Sequence, residues 1–183
     1  MVLESCAVKK KMVGSHGLPK NIVVLPVSNQ SQDLIAPVLI RYFLIAELKD
    51  KGFILTMKGK DVDRQLRQMG IAEGNQIDPS NIQSIGQFFK VDGIMQSTLL
   101  EYRQDVEESK RVVRANFRLV STQSGQVLWE KDVEVRAREP GKIPLRGTLT
   151  TDWTPNLIRS IANGPAGKVP RKTVSEALNN LRP

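Results

Sequence analysis

The chain is 183 residues long, 40% hydrophobic and 25% charged, enough for one domain with its own core. No apolar run approaches the roughly 20 residues of a membrane-spanning helix; Val38–Leu48 is too short and is broken by Arg41 and Glu47. One cysteine excludes an internal disulfide, and the lone His16 excludes a multi-histidine metal site.

The formal charge of +8 is unevenly placed. Residues 1–20 carry four lysines against Glu4, and residues 141–183 carry seven lysines and arginines against two acids. Between them, 16 basic and 16 acidic residues cancel. Polyanion binding normally needs a basic groove on a folded surface with aromatic stacking partners, and here the few aromatics sit at core spacings. No nucleic-acid partner is expected on this footprint. The basic flanks fit an anionic lipid surface or a cell-wall polymer better, with a soluble polyanion-binding module as the alternative.

Cys6 follows Leu3 at −3 and Ser5 at −1, as in a bacterial lipobox. Glu4 at −2 fits that pattern poorly, and the basic and apolar parts of a signal peptide are missing. Cys6 is therefore either an ordinary thiol in a tail or a lipidation site in a chain that has lost its signal peptide. Residues 7–20, with Gly14, Gly17 and Pro19 and no periodicity, read as a tether. Ile22–Val27 is a short apolar run that predicts a strand covered on both faces, ending at Pro26. A helix follows from about Pro37 to Asp50 or Lys51, stopped by Gly52. Its Val38, Leu39, Tyr42, Phe43, Ile45 and Leu48 cover most of the circumference, which calls for a second covering layer or a neighbouring subunit. Val38, Tyr42, Phe43 and Ile45 are the expected assembly face. Phe53–Met57 reads as a strand and Asp61–Met69 as a helix ended by Gly70. Asp78 and Pro79 open a helix with Ile82, Ile85 and Phe88/Phe89 inward. Gly93–Tyr102 is a third strand, and 104–109 an acidic loop.

Lys110–Arg138 carries the strongest pattern. Val113, Ala115, Phe117 and Leu119 share one face of the first run, and Arg114, Asn116 and Arg118 the other. On the second run Val127, Trp129, Val133 and Val135 oppose Glu130, Asp132 and Glu134. A three-residue loop with Gly125 left-handed pairs Leu119 with Trp129, Arg118 with Glu130 and Arg114 with Glu134. The order β-α-β-α-α-β-β-β predicts an α/β fold: a mixed sheet with early crossovers and a late antiparallel meander, packed with helices. Residues 1–20 are then a tether, 21–139 the α/β domain and 140–183 an extension with a short helix in Thr151–Ala162 around Trp153, Leu157, Ile158 and Ile161, a Pro/Gly linker at Gly164–Pro170 and another short helix at Lys172–Leu181. Trp153 is placed to cap the core, meet a neighbouring subunit or sit at a membrane interface. With the basic Arg159, Arg171 and Lys172 it is the expected partner contact.

Catalytic chemistry is not expected. Ser15 and His16 lie in the tether, a poor place to hold a nucleophile and its base. Asp61 and Asp63 sit at a helix start, Glu107 and Glu108 in a loop, and Glu130, Asp132 and Glu134 opposite arginines. The glycines stand singly at element ends, so no phosphate-cradling loop is formed, and no cofactor or metal is anticipated.

The ordered set PKNIVVLPVSNQS, AELKDKGF, VDRQLRQMGI, FFKVDGIMQSTLLEY and FRLVSTQSGQVLWE resembles the CsgG/TolB-amino-terminal-domain group, in particular its small bacterial outer-membrane lipoproteins. The resemblance spans about residues 20–138. It implies a CsgG/TolB-N-like periplasmic α/β domain, held to the outer membrane by an acylated cysteine, here Cys6. It also implies homo-oligomeric rings or scaffolding of envelope machinery: curli secretion, polysaccharide export, cell-wall synthase activation or flagellar assembly. Members that form secretion channels insert long membrane hairpins, each strand needing about 9–11 residues. The stretch Tyr102–Lys110 is too short for that, so no curli-type pore is expected from this chain alone.

Overall fold

The computed structural model describes residues 17–78, 80–105, 110–138 and 155–183. Six strands form one mixed sheet: β1 (Asn21–Val24), β2 (Ser28–Asn29), β3 (Ile54–Leu55), β4 (Gly93–Asp105), β5 (Lys110–Ser121) and β6 (Val127–Arg138). The order is β3-β1-β4-β5-β6, with β2 also paired to β4. β1 runs parallel to β3 and β4, while β5 runs antiparallel to both β4 and β6. Among the described residues five helices cover the sheet: α1 (Ala36–Asp50), α2 (Gly59–Gln68), α3 (Ile82–Phe89), α4 (Pro155–Asn163) and α5 (Lys168–Leu178). The expected mixed α/β architecture, with crossovers first and a meander last, is what forms.

Strand alternation divides the interior in two. Ile22, Val24, Met95, Leu119 and Phe117 face α1 and α5, while Val23, Leu25, Ile94 and Val120 face α2 and α3. β1 is therefore apolar on both sides because both sides are covered. Asp33 Oδ1 accepts the N–H groups of Ile35 and Ala36 at 2.8 and 2.7 Å, satisfying donors that the start of α1 leaves open. Gly52, at φ +92°, ends that helix.

The hairpin forms in the expected register, with Leu119 opposite Trp129, Arg118 opposite Glu130 and Arg114 opposite Glu134. Gly125 is left-handed at φ +68°. Val127 departs from the pattern. A register shift between Leu119 and Val120 sets Val120 opposite Val127 and leaves Val127 45% exposed, while Leu128 packs against the core. Phe88 is likewise exposed, so Phe89 alone of the pair is inward. β3 covers two residues of the expected Phe53–Met57, and α3 begins at Ile82, later than Asp78.

The C-terminal helices join the core. Val169, Val174, Ala177, Leu178 and Leu181 are buried in the same cluster as α1 and β5. α5 packs on α1, β5 and β6, so the second layer over α1 comes from its own chain. Phe43 lies beneath it, 4% exposed, with the Arg171 guanidinium 4.9 Å above its ring. Phe43 therefore offers no surface to a second subunit, a correction to the expected assembly face.

Two stability measurements follow. Lys90 closes α3 at φ 54° and ψ 50°, a left-handed conformation that costs a residue with a Cβ roughly 1 kcal/mol. Lys90→Gly should raise the urea midpoint by the equivalent of about 0.5 kcal/mol after the added freedom of the unfolded chain is deducted. Leu178→Ala removes a fully buried side chain and should cost about 2–5 kcal/mol. A near-neutral effect would show that α5 is no part of the cooperative unit.

Candidate interaction surface

β4, β5 and β6 are 13, 12 and 12 residues long, against four for β1. α2 and α3 bury one end of the sheet's second face, at Ile94 and Val120. Past that end the side chains stand in cross-strand rows: Gln96–Arg118–Glu130, Thr98–Asn116–Asp132 and Glu101–Arg114–Glu134. Asn116 is buried, and its Nδ2 donates to Glu130 Oε1 at 3.1 Å and Asp132 Oδ1 at 2.7 Å. Arg118 Nε donates to the same Glu130 oxygen at 2.8 Å. Arg114 lies between Glu101 and Glu134 at 3.6 and 3.7 Å, and Arg136 Nε donates to Glu134 at 2.8 Å. Arg103 closes the row on Glu101. In and beside these rows Arg103, Arg114, Arg118 and Arg136 stand against Glu101, Glu130 and Glu134, while Asp132 is held by Asn116 in place of an arginine.

A small pocket opens at its border. From Val24 to Ser28 the chain takes four steps while β4 takes three, from Met95 to Thr98, so Pro26 and Val27 bulge away. The turn Gly74–Gln76 closes over this bulge. Gln76 Oε1 accepts the N–H groups of Ala72 and Glu73 at 2.6 and 2.9 Å and holds the turn's shape. Gly74 approaches so closely that a Cβ there would lie 2.7 Å from both Pro26 O and Ser28 N, which only glycine avoids. Asn75 Oδ1 accepts from the Ser28 hydroxyl and from the Asn29 N–H at 3.2 Å. The volume is about 120 Å³, with Ser28, Asn75, Gln96, Ser97, Thr98, Asn116 and Arg118 as the polar residues of its lining and no carboxylate among them.

Arg41 fixes the elements beneath. From α1 it reaches Asp63 of α2 at 2.5 Å, the Val24 carbonyl at 3.0 Å and the Gly59 carbonyl at 3.4 Å. Burial lowers its pKa and Asp63 raises it again, and a guanidinium remains charged under any such shift. In sequence Arg41 is an interruption of an apolar run and Asp63 a helix-start acid. Nothing local joins two residues 22 apart.

The remaining expected site residues are dispersed. Val38, Tyr42 and Ile45 are half-buried on α1, with Tyr42 edge-on to Phe43 at 5.4 Å. Arg159 is exposed on α4; Arg171 and Lys172 are exposed on α5, with Lys172 3.6 Å from Glu176. Cys6, His16, Glu107, Glu108 and Trp153 lie outside the described residues. Among the described residues no group of three or more His, Cys, Asp or Glu is placed to hold a metal ion, and no helix is long and apolar enough to cross a membrane.

The fold is shared with lipoprotein domains of known structure. A family model described as "Putative lipoprotein GNA1162-like" matches residues 14–168. The chain belongs to that family. Lipoprotein GNA1162 from Neisseria meningitidis has a similar crystal structure, at 20% identity and a TM-score of 0.57, over 82% of this chain and 98% of that one. The PelC dodecamer from Paraburkholderia phytofirmans is similar at 12% identity and TM-score 0.54, over 90% of each chain. The LpoB C-terminal domain from Escherichia coli is similar at 16% identity and TM-score 0.50, over 68% and 89%. No curated protein matches in sequence.

The ion-pair row makes a titration prediction. The hydrogen bond from Arg136 holds the Glu134 carboxyl below the ordinary carboxylate range; desolvation opposes this, and the charges of Arg136, Arg114 and Arg103 add to it. With the folded pKa below the unfolded one, the stabilisation is complete above the unfolded value and is lost as pH falls through the folded one. Arg136→Gln should move the Glu134 midpoint upward in a carboxyl-carbon NMR titration. An unchanged midpoint would show that the pair is not formed in solution.

Proposed function

We propose that this chain is a non-enzymatic lipoprotein of the bacterial envelope, anchored by an acylated Cys6 on the periplasmic side of the outer membrane. There it scaffolds or regulates an envelope assembly: a secretion, polysaccharide-export, flagellar or cell-wall machine. The observation that carries this reading is membership of a lipoprotein family from residue 14 onward, with the chain's one cysteine just upstream. The resemblance of residues 20–138 to the CsgG/TolB-amino-terminal-domain group supports it further. So does a surface whose ionisable groups engage one another, which suits contact with a protein better than proton transfer. A homo-oligomer is part of the proposal, supported by a relative in fold, PelC, that forms a dodecamer. Val38, Tyr42 and Ile45 on α1 remain its candidate contacts. Trp153, Arg159, Arg171 and Lys172 are the candidate contacts for an envelope partner.

Fractionation and intact-mass analysis of the gene product in its native host test the anchor. The expected result is an acylated Cys6 in the outer-membrane fraction, with Cys6→Ser released to the soluble fraction. An unmodified, soluble wild-type protein overturns the reading. Light scattering of Cys6→Ser should show a multimer, and a strict monomer at high concentration removes the oligomer.

A further inference from the structure

The pocket at the edge of the open sheet face is rich in hydrogen-bond donors that the protein does not use. Arg118 gives its Nε to Glu130, and its two terminal nitrogens make no bond among the described residues. The half-buried side chains of Gln96 and Thr98 make none either. Asn75 uses only its carbonyl oxygen, leaving the amide nitrogen to donate. A guanidinium, a hydroxyl and two carboxamides thus line one small concavity without an acid among them. A planar carboxylate, with four lone-pair positions and no donor of its own, matches such a set.

Size decides what bears that carboxylate. Pockets that enclose a small molecule hold about 300–1,000 Å³. This one, at about 120 Å³, has room for a single side chain but not for a sugar ring or nucleotide. It opens beside the ion-paired rows of β4, β5 and β6, whose interleaved charges present a second protein with no large field of one sign. Interfaces of this kind concentrate their affinity in a few seated anchors, and arginine is among the residues that provide them.

We propose that the pocket receives the carboxylate of a glutamate or aspartate presented by a partner protein laid across this face. Arg118 supplies the charge, and Gln96, Thr98 and Asn75 the remaining hydrogen bonds. The proposal rests on the reading of the chain as a scaffold that acts through a protein partner.

The test uses the isotope-labelled full chain and three probes: N-acetyl-glutamate N-methylamide, its glutamine counterpart and glucuronate. Capped glutamate should give saturable NMR shifts at Gln96, Thr98, Asn116 and Arg118. Capped glutamine should bind roughly tenfold more weakly, the usual worth of one charge-assisted hydrogen bond. Arg118→Gln should abolish that difference. Gln96→Leu, which leaves the Arg118–Glu130 pair intact, should weaken capped glutamate while the rest of the spectrum stays native. Equal binding of the two capped residues, shifts mapped to another surface, or an unchanged preference in Arg118→Gln overturns the proposal. Tighter binding of glucuronate also overturns it, because the ligand would then be a sugar acid. A missing carboxylate preference in a protein whose Cys6 is acylated sinks the pocket alone. An intact preference in a protein that is never acylated sinks the anchor alone.

Discussion

In a three-stranded antiparallel meander the side-chain period is two, so moving one strand by a single residue exchanges its buried and exposed faces. In this protein both faces of β5 are demanding. Val113, Ala115, Phe117 and Leu119 need an apolar cover, while Arg114, Asn116 and Arg118 need acids across the strand. The register Leu119–Trp129, Arg118–Glu130, Arg114–Glu134 meets both needs. A one-residue slip of β5 would bury guanidinium groups against α5 and expose Phe117, and burying an unpaired charge costs far more than a surface ion pair returns. The pairing of β5 with β6 therefore determines where the core lies, where the charged face lies and, through Arg118, where the donor pocket lies.

The apolar side of that meander determines the fate of the C-terminal segment. α1 crosses over β1 and β3, so the buried face of β5 and β6 needs another cover, and α5 provides it with Val169, Val174, Ala177 and Leu178. The apolar surplus on α1 is absorbed in the same step, since its second side packs on α5. An apolar helix that overflows its sheet contact signals a further layer, and that layer can come from the same chain as readily as from a neighbour. Once Phe43 is covered and Arg171 stacks on its ring, α1 keeps the half-buried Val38, Tyr42 and Ile45 and the exposed Ala46, Lys49 and Asp50 for contact with anything else.

Local patterning carried the hairpin, its register, the doubly covered β1 and the mixed α/β order, because each is written in residues close in sequence or in strict alternation. It could not carry features made by contacts distant along the chain. Arg41 and Asp63 look like an interruption and a dipole complement until α2 is laid against α1. The helix α5 begins inside a stretch punctuated by Gly164, Pro165, Gly167 and Pro170, which reads as a linker when nothing shows that Pro170 sits in a first turn. Val127 was misassigned because a bulge breaks alternation without leaving a residue that marks it. The pocket was invisible for a related reason. It exists because the β1–β2 segment is one residue longer than its partner on β4, a property of two strands together and of neither alone.

The electrostatics of the middle of the chain hold Glu134 and Asp78 in their charged form. A catalytic acid or base needs a pKa moved toward neutrality by burial or by a like charge. Glu134 is moved the other way, deeper into its ionised range, by arginines that hold it in place. Asp78 is lowered as well, by its hydrogen bonds to Ser80. Such groups keep a constant charge at physiological pH and serve as fixed features of a surface. What breaks the balance is Arg118, which shares one nitrogen with Glu130 and turns the rest of its guanidinium toward a recess bordered by neutral donors. Arg103, Arg114 and Arg136 each have an acid on their own or the adjoining strand, and a half-committed arginine at the rim of a cavity is the place where an acid from another molecule completes the pattern.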